Sequence, residues 1–197
     1  MERLAPADFR PFVELNAGLE RTVPDVERRA ALASIVEAAG ALVGGEPQVL
    51  FADLPRTIAQ TMGPFGWLWN GFYVVRRDER DKLHLGPACG PPVCTPIERH
   101  GGPLTSGMCF DALHLNQTMA AYETKRWPGY VSCDAESGLS TVSGIVCPIR
   151  NPDGIPIAVW DLDATETIEP GDVRTMDVLF ATLARCVAIE EGSFEGR

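Results

Sequence analysis

The sequence has no apolar run of about 18 residues, the length that a single membrane-crossing helix requires. Its opening stretch, "MERLAPADFRPFVEL", scatters charges where an export signal would place a basic start and an apolar centre. Neither membrane insertion nor export is supported, and a cytoplasmic protein is expected. Basic residues are the minority: 17 Lys and Arg stand against 27 Asp and Glu, a formal charge of −10. Nucleic acid and anionic membranes need a basic surface to offset their phosphates, so both are excluded as partners. Histidine is scarce and no Cys-x-x-Cys pair occurs, while His100 and His114 have no zinc-like spacing to the cysteines, so no metal site is expected. Internal repeats and low-complexity linkers are also lacking.

What remains is ordinary for a globular chain. At 197 residues, 45% hydrophobic and 22% charged, it has the size and composition of one domain that buries a core without disulfide staples. The expected organisation is an N-terminal extension over 1–25, a domain over 26–192 and a short tail over 193–197. Leu32, Ile35, Val36, Ala39 and Leu42 recur at helical spacing and predict a helix from Val26 to Val43, ended by "VGGEP". "ADLPRTIAQTM" predicts a second helix starting near Asp53, because Pro55 is tolerated in a first turn and not in a helix interior.

The aromatic and β-branched "WLWNGFYVVRR" and the following "KLHLGP" predict a hairpin around "RDERD". A second hairpin is predicted where "RNPDG" separates "TVSGIVCPI" from "IPIAVWDLD". Between the hairpins, Ser106 is expected to cap a helix carrying Met108, Ala112 and Leu115, and "TMAAY" reads as a short strand. Val173, Met176, Phe180, Leu183 and Val187 step by three and four, predicting an amphipathic C-terminal helix opened by Pro170-Gly171-Asp172. Helices at both ends and antiparallel hairpins between them make the fold class α+β, with the terminal helices packed on one sheet face.

Six cysteines in a chain expected to stay in a reducing compartment point to reactivity rather than a disulfide framework. Cys94 follows "GPACGPPV", Cys109 falls in the first turn of the helix after Ser106, and Cys133 sits in "PGYVSCDAES", between a strand-like run and a polar turn. At a helix start the dipole stabilises a thiolate, so Cys109 is expected to have a lowered pKa. Cys147 and Cys186 lie in the apolar runs "GIVCPI" and "LARCVAI", where packing explains them; Cys89 has no assigned role. "WDLD" places Asp161 and Asp163 on one face at the end of a hydrophobic strand, where paired carboxylates can raise each other's pKa and act as an acid or hold a cation.

"WNGFY", "LGPACGPPVC", "GMCFDAL", "PGYVSCDAES", "IVCPI" and "VWDLDATE" occur in the order of the free methionine-(R)-sulfoxide reductases, single-domain GAF proteins that the chain resembles from about residue 26 to 190. The resemblance implies a GAF-like antiparallel sheet of about six strands, a pocket roofed by loops, and three redox cysteines, Cys94, Cys109 and Cys133. It implies attack of a thiolate on the sulfoxide sulfur, a sulfenic acid, and an intramolecular disulfide recycled by thioredoxin, with NADPH as the indirect electron source and no bound cofactor. All three cysteines fit the chemistry; the assignment taken here is Cys133 as nucleophile, Cys94 as resolver and Cys109 as second resolver. Trp69 and Tyr73 match pocket aromatics, and Asp161 and Asp163 match the acids that hold the substrate's amino end and protonate the departing oxygen. The family likeness leans toward a homodimer.

Two loops, after Cys94 and after Cys133, are longer than the family's, and Gly144 stands where the family has a glutamate. Glu136, on the second of these loops, is the expected replacement. The alternatives are a GAF protein that binds a small molecule or senses oxidation without turnover, and a divergent GAF enzyme acting on another small amino-acid derivative.

Overall fold

The computed structural model describes residues 12–15, 25–130 and 140–195, the first of these for backbone only. In chain order it comprises β1 (Phe12–Leu15), α1 (Val26–Leu42), α2 (Pro47–Met62), β2 (Trp67–Arg76), β3 (Glu79–Cys89), β4 (Ile97–Glu98), α3 (Met108–Leu115), β5 (Thr118–Ala121), β6 (Ser143–Arg150), β7 (Pro156–Ala164) and α4 (Pro170–Cys186). Both predicted hairpins are present, β2 with β3 and β6 with β7. One sheet runs in the order β1-β5-β6-β7-β2-β3-β4. Six strands are linked antiparallel, as expected; β1 is an addition, lying parallel against β5 from within the stretch read as an extension.

Strand parity sorts the sheet into two faces. On one, Phe72 and Cys147 flank Trp160, and Asn70 and Ile145 flank Leu162. Here α1, α2 and α4 cover the sheet, burying Leu32, Ile35, Leu54, Ile58, Met176 and Phe180 against Phe72, Cys147, Trp160 and Leu162. Each large apolar side chain fully withdrawn from water contributes about 1.5–3 kcal/mol, so this layer is the main source of stability. On the opposite face Trp69, Tyr73, Val146 and Val159 form a smaller core with Phe110, Ala112 and Trp127. This second face, only partly covered by the eight-residue α3, leaves room for a pocket.

The helix predicted from Asp53 instead begins at Pro47, so Pro55 lies in its interior. The rule that prolines open helices holds, but for Pro47, which sits at the helix start. Pro55 forfeits one helical hydrogen bond, and burial of Leu50, Phe51, Leu54 and Ile58 on the same helix outweighs that cost. Its carbonyl accepts from Asn70 Nδ2 at 3.0 Å, tying the helix to β2. Ser106 does not cap α3: the cap residue is Gly107, with φ 86, and the buried Ser106 hydroxyl accepts from the His100 N–H at 3.2 Å. Among the described residues no helix is long and apolar enough to cross a membrane.

Candidate active site

The pocket lies on the α3 face, where β2, β6 and β7 end. Asp163 is paired across the sheet with Trp69 on one side and Gly144 on the other, and Asp161 with Gly71 and Val146. Residues paired in an antiparallel sheet share a face, so the period of two places both carboxylates and Tyr73 toward the pocket while Cys147 faces the helices. Val93, Ile97, Ser106 and Gly107 wall it from one side, Thr124, Tyr130 and Thr141 from another. These threonines and Tyr130 escaped sequence reasoning, because they sit in irregular segments with no periodicity to mark them.

Cys109, at the start of α3, donates from Sγ to Asp161 Oδ2 at 3.4 Å. Its thiol is pushed well above the ordinary range, first by burial, then by the charge of Asp161 and its hydrogen bond. The expectation of a dipole-lowered pKa is therefore reversed. A helix end contributes a partial charge whose effect is typically below about 1 kcal/mol, which loses to withdrawal from water beside a full negative charge. Asp161 itself is raised to about 6 by burial; the bonds from the Cys109 thiol and from the Leu162 backbone lower it and offset only part of that rise. Paired carboxylates predicted an upward shift, but desolvation is its main cause.

Tyr73 donates from its hydroxyl to the Cys94 carbonyl at 2.9 Å. Burial, then the charges of Asp161, Cys109 and Asp163, push the phenol upward, so it stays a donor. Trp69 packs against Tyr73 with ring centroids 5.7 Å apart but stands behind it rather than lining the cavity. Cys94 is disulfide-bonded, while Cys89, Cys109, Cys147 and Cys186 are free. Cys133 and Glu136 lie outside the described residues.

Cys147 is buried, as its apolar run implied, but Cys186 is exposed and packing does not explain it. It is the last residue of α4, where apolar neighbours in sequence are not neighbours in space. Gly144 also lines the cavity. A Cβ there would lie 2.8 Å from the Leu162 carbonyl oxygen, so a glutamate in its place would have to move the backbone of β7. Among the described residues no group of three or more His, Cys, Asp or Glu could hold a metal ion.

The arrangement combines a carboxyl that keeps its proton up to about pH 6, the Cys109 thiol bonded to it, and walls without a lysine or arginine among the described lining residues. Such a site suits a small ligand bearing an ammonium group and an oxygen that must leave as water.

No family model matches the chain. Among curated proteins it is similar to the free methionine-R-sulfoxide reductase of Saccharomyces cerevisiae, 34% identical over 98 residues that cover 50% of this chain and 49% of the relative. It thus spans about half the length of that relative. It is also similar to GAF domain-containing protein A of Dictyostelium discoideum, 33% identical over 125 residues that cover 64% of this chain and 70% of the relative. Among solved structures it matches a GAF domain with a TM-score of 0.69 at 23% identity, covering 89% of this chain and 93% of the other, a likeness that shows the fold.

Proposed function

The chain belongs to the GAF-domain family, and from the chemistry gathered at its pocket we propose that it reduces free methionine-(R)-sulfoxide to methionine. The observation that carries the reading is the Asp161 carboxyl, raised to about 6 and bonded to Cys109, in a pocket whose lining residue Tyr73 donates to the carbonyl of the disulfide-bonded Cys94. The similarity to the yeast reductase supports the same substrate.

In the proposed cycle the Cys133 thiolate attacks the sulfoxide sulfur while Asp161 gives its proton to the sulfoxide oxygen. Oxygen then passes from the substrate sulfur to the Cys133 sulfur as the transient S–S bond and the substrate's S–O bond both break, so that methionine leaves and Cys133 is left as a sulfenic acid. The Cys94 thiol then displaces that oxygen as water, forming a Cys94–Cys133 disulfide. Thioredoxin supplies two electrons to reopen it, drawing them from NADPH in the cytoplasm. Asp163 and Glu136 hold the substrate's ammonium. Cys109, kept protonated beside Asp161, is a reserve resolver and a hydrogen-bond donor that orients the acid.

The test is NADPH oxidation coupled through thioredoxin reductase and thioredoxin. Free methionine-(R)-sulfoxide is expected to turn over, and peptide-bound sulfoxide to react poorly, because its flanking amides cannot enter the pocket without desolvation. Peptide mass mapping of the oxidised protein should find Cys94 joined to Cys133, and Cys94→Ser combined with Cys109→Ser, which removes both resolvers, should leave a sulfenic acid on Cys133 that dimedone traps. A disulfide that forms once per molecule without turnover would instead identify a redox sensor. The crowding at Gly144 favours one further reading, a divergent enzyme for another small amino-acid derivative; turnover of that derivative and not of methionine sulfoxide would establish it.

A further inference from the structure

Two segments that wall the pocket, 95–107 and 124–130, are held by one carboxylate that does not itself line the cavity. Asp111, in the first turn of α3 and 0% exposed, accepts the Leu104 N–H on Oδ1 at 2.6 Å and the Trp127 indole N–H on Oδ2 at 2.8 Å. Neither bond serves the helix. Leu104 has φ 64, a left-handed conformation that a leucine adopts only against a cost, so its N–H is brought to Asp111 at some expense. The two segments also touch directly: at Gly129, with φ 66, an added Cβ would lie 2.5 Å from Thr105 Cα. Ile97, Ser106 and Gly107 of the first segment and Thr124 and Tyr130 of the second line the cavity beside Cys109 and Asp161.

We propose that Asp111 is a positioning residue, a two-pronged acceptor that ties loop 95–107 to Trp127 and thereby sets the closed shape of the pocket over Cys109 and Asp161. The role requires both oxygens to accept. An asparagine can accept with only one, and its amide N–H₂ would confront the second donor. Asp111→Asn should therefore loosen the roof, whereas the same change beside Trp127→Phe, which removes the indole donor, should do little more, because one acceptor then suffices.

The experiment alkylates the oxidised protein with N-ethylmaleimide and follows by peptide mass Cys89, Cys109, Cys147 and Cys186, the free thiols among the described residues. Asp111→Asn is expected to speed modification of Cys109 about tenfold, the factor that follows from one buried donor left unmatched, while exposed Cys186 keeps its rate as internal control. In the Trp127→Phe background the further change should be under about twofold by the same reasoning. An unchanged Cys109 rate, or the same acceleration in both backgrounds, overturns the proposal. If Asp111→Asn does not fold, Trp127→Phe alone carries the test: a faster Cys109 reaction supports the clamp and an unchanged one refutes it. This readout needs no substrate, so it stands or falls separately from the reductase reading. On that reading, the variant should also raise KM for methionine sulfoxide more than it lowers kcat.

Discussion

Asp161→Asn is expected to lower turnover of methionine sulfoxide by about 10²- to 10⁴-fold, the usual contribution of a general acid, and at the same time to make the fold more stable at neutral pH. The two outcomes have one cause. Burial raises Asp161 from 3.8 to about 6, so a proton is available where an exposed aspartate would have lost it. Because the folded pKa lies above the unfolded one, the native state holds a proton that the unfolded chain has already released. Stability therefore falls as pH rises from about 4 through about 6, and the deficit is complete above that window. A shift of this size corresponds to a deficit on the order of 2–3 kcal/mol, which an asparagine, unable to ionise, does not incur. Urea midpoints of the two proteins should converge near pH 4 and separate toward pH 7, with the variant the more stable. In the rate profile, the fall in kcat above about 6 should vanish in the variant. Near-wild-type turnover in both Asp161→Asn and Asp163→Asn would mean that the end of β7 is structural, and the sensor reading would gain.

The largest loss of stability is expected far from the pocket, in Arg28→Met. The Arg28 guanidinium reaches from α1 to Asp172 at the start of α4, its Nε lying 2.9 and 3.1 Å from the two carboxylate oxygens and one Nη bonding Oδ2 as well. Both residues are buried, at 4% and 0% exposure. Asp172 also accepts the Glu169 N–H at 2.8 Å, closing a capping box on α4. Removing the cation leaves a carboxylate in the interior with one backbone donor, and breaking a buried pair from one side typically costs about 3–5 kcal/mol. Chemical denaturation should show that loss, and Asp172→Asn added to Arg28→Met should recover much of it, since asparagine keeps the capping acceptor without the charge. If Arg28→Met shifts the midpoint by less than the equivalent of about 1 kcal/mol, the pair is a geometric accident rather than the bolt between α1 and α4.

Much of this protein was written in local sequence. Alternation over "GIVCPI" and "AVWDLD", with the Asn-Pro-Asp-Gly turn between them, fixed which residues face the helices and which face the pocket, because strand side chains alternate with a period of two and the hairpin sets the register. That is enough to bury Cys147 and to place Asp161 and Asp163 together. The stepping of Val173, Met176, Phe180 and Leu183 fixed the buried face of α4 for the equivalent helical reason.

Tertiary structure decided the rest. Whether Cys109 is acidified or protected depended on Asp161, 52 residues away in sequence, and on how much water the folded chain leaves between them. Which proline opens α2 was settled by the sheet that buries Leu50 and Phe51, and the clamp of Asp111 on Leu104 and Trp127 joins residues that share no pattern. Periodicity reports one element's face, but desolvation, cross-strand charge and side-chain bonds between loops arise only when distant segments meet. The sequence alone therefore determined the layers and the placing of the two acids, and the assembled fold determined their protonation.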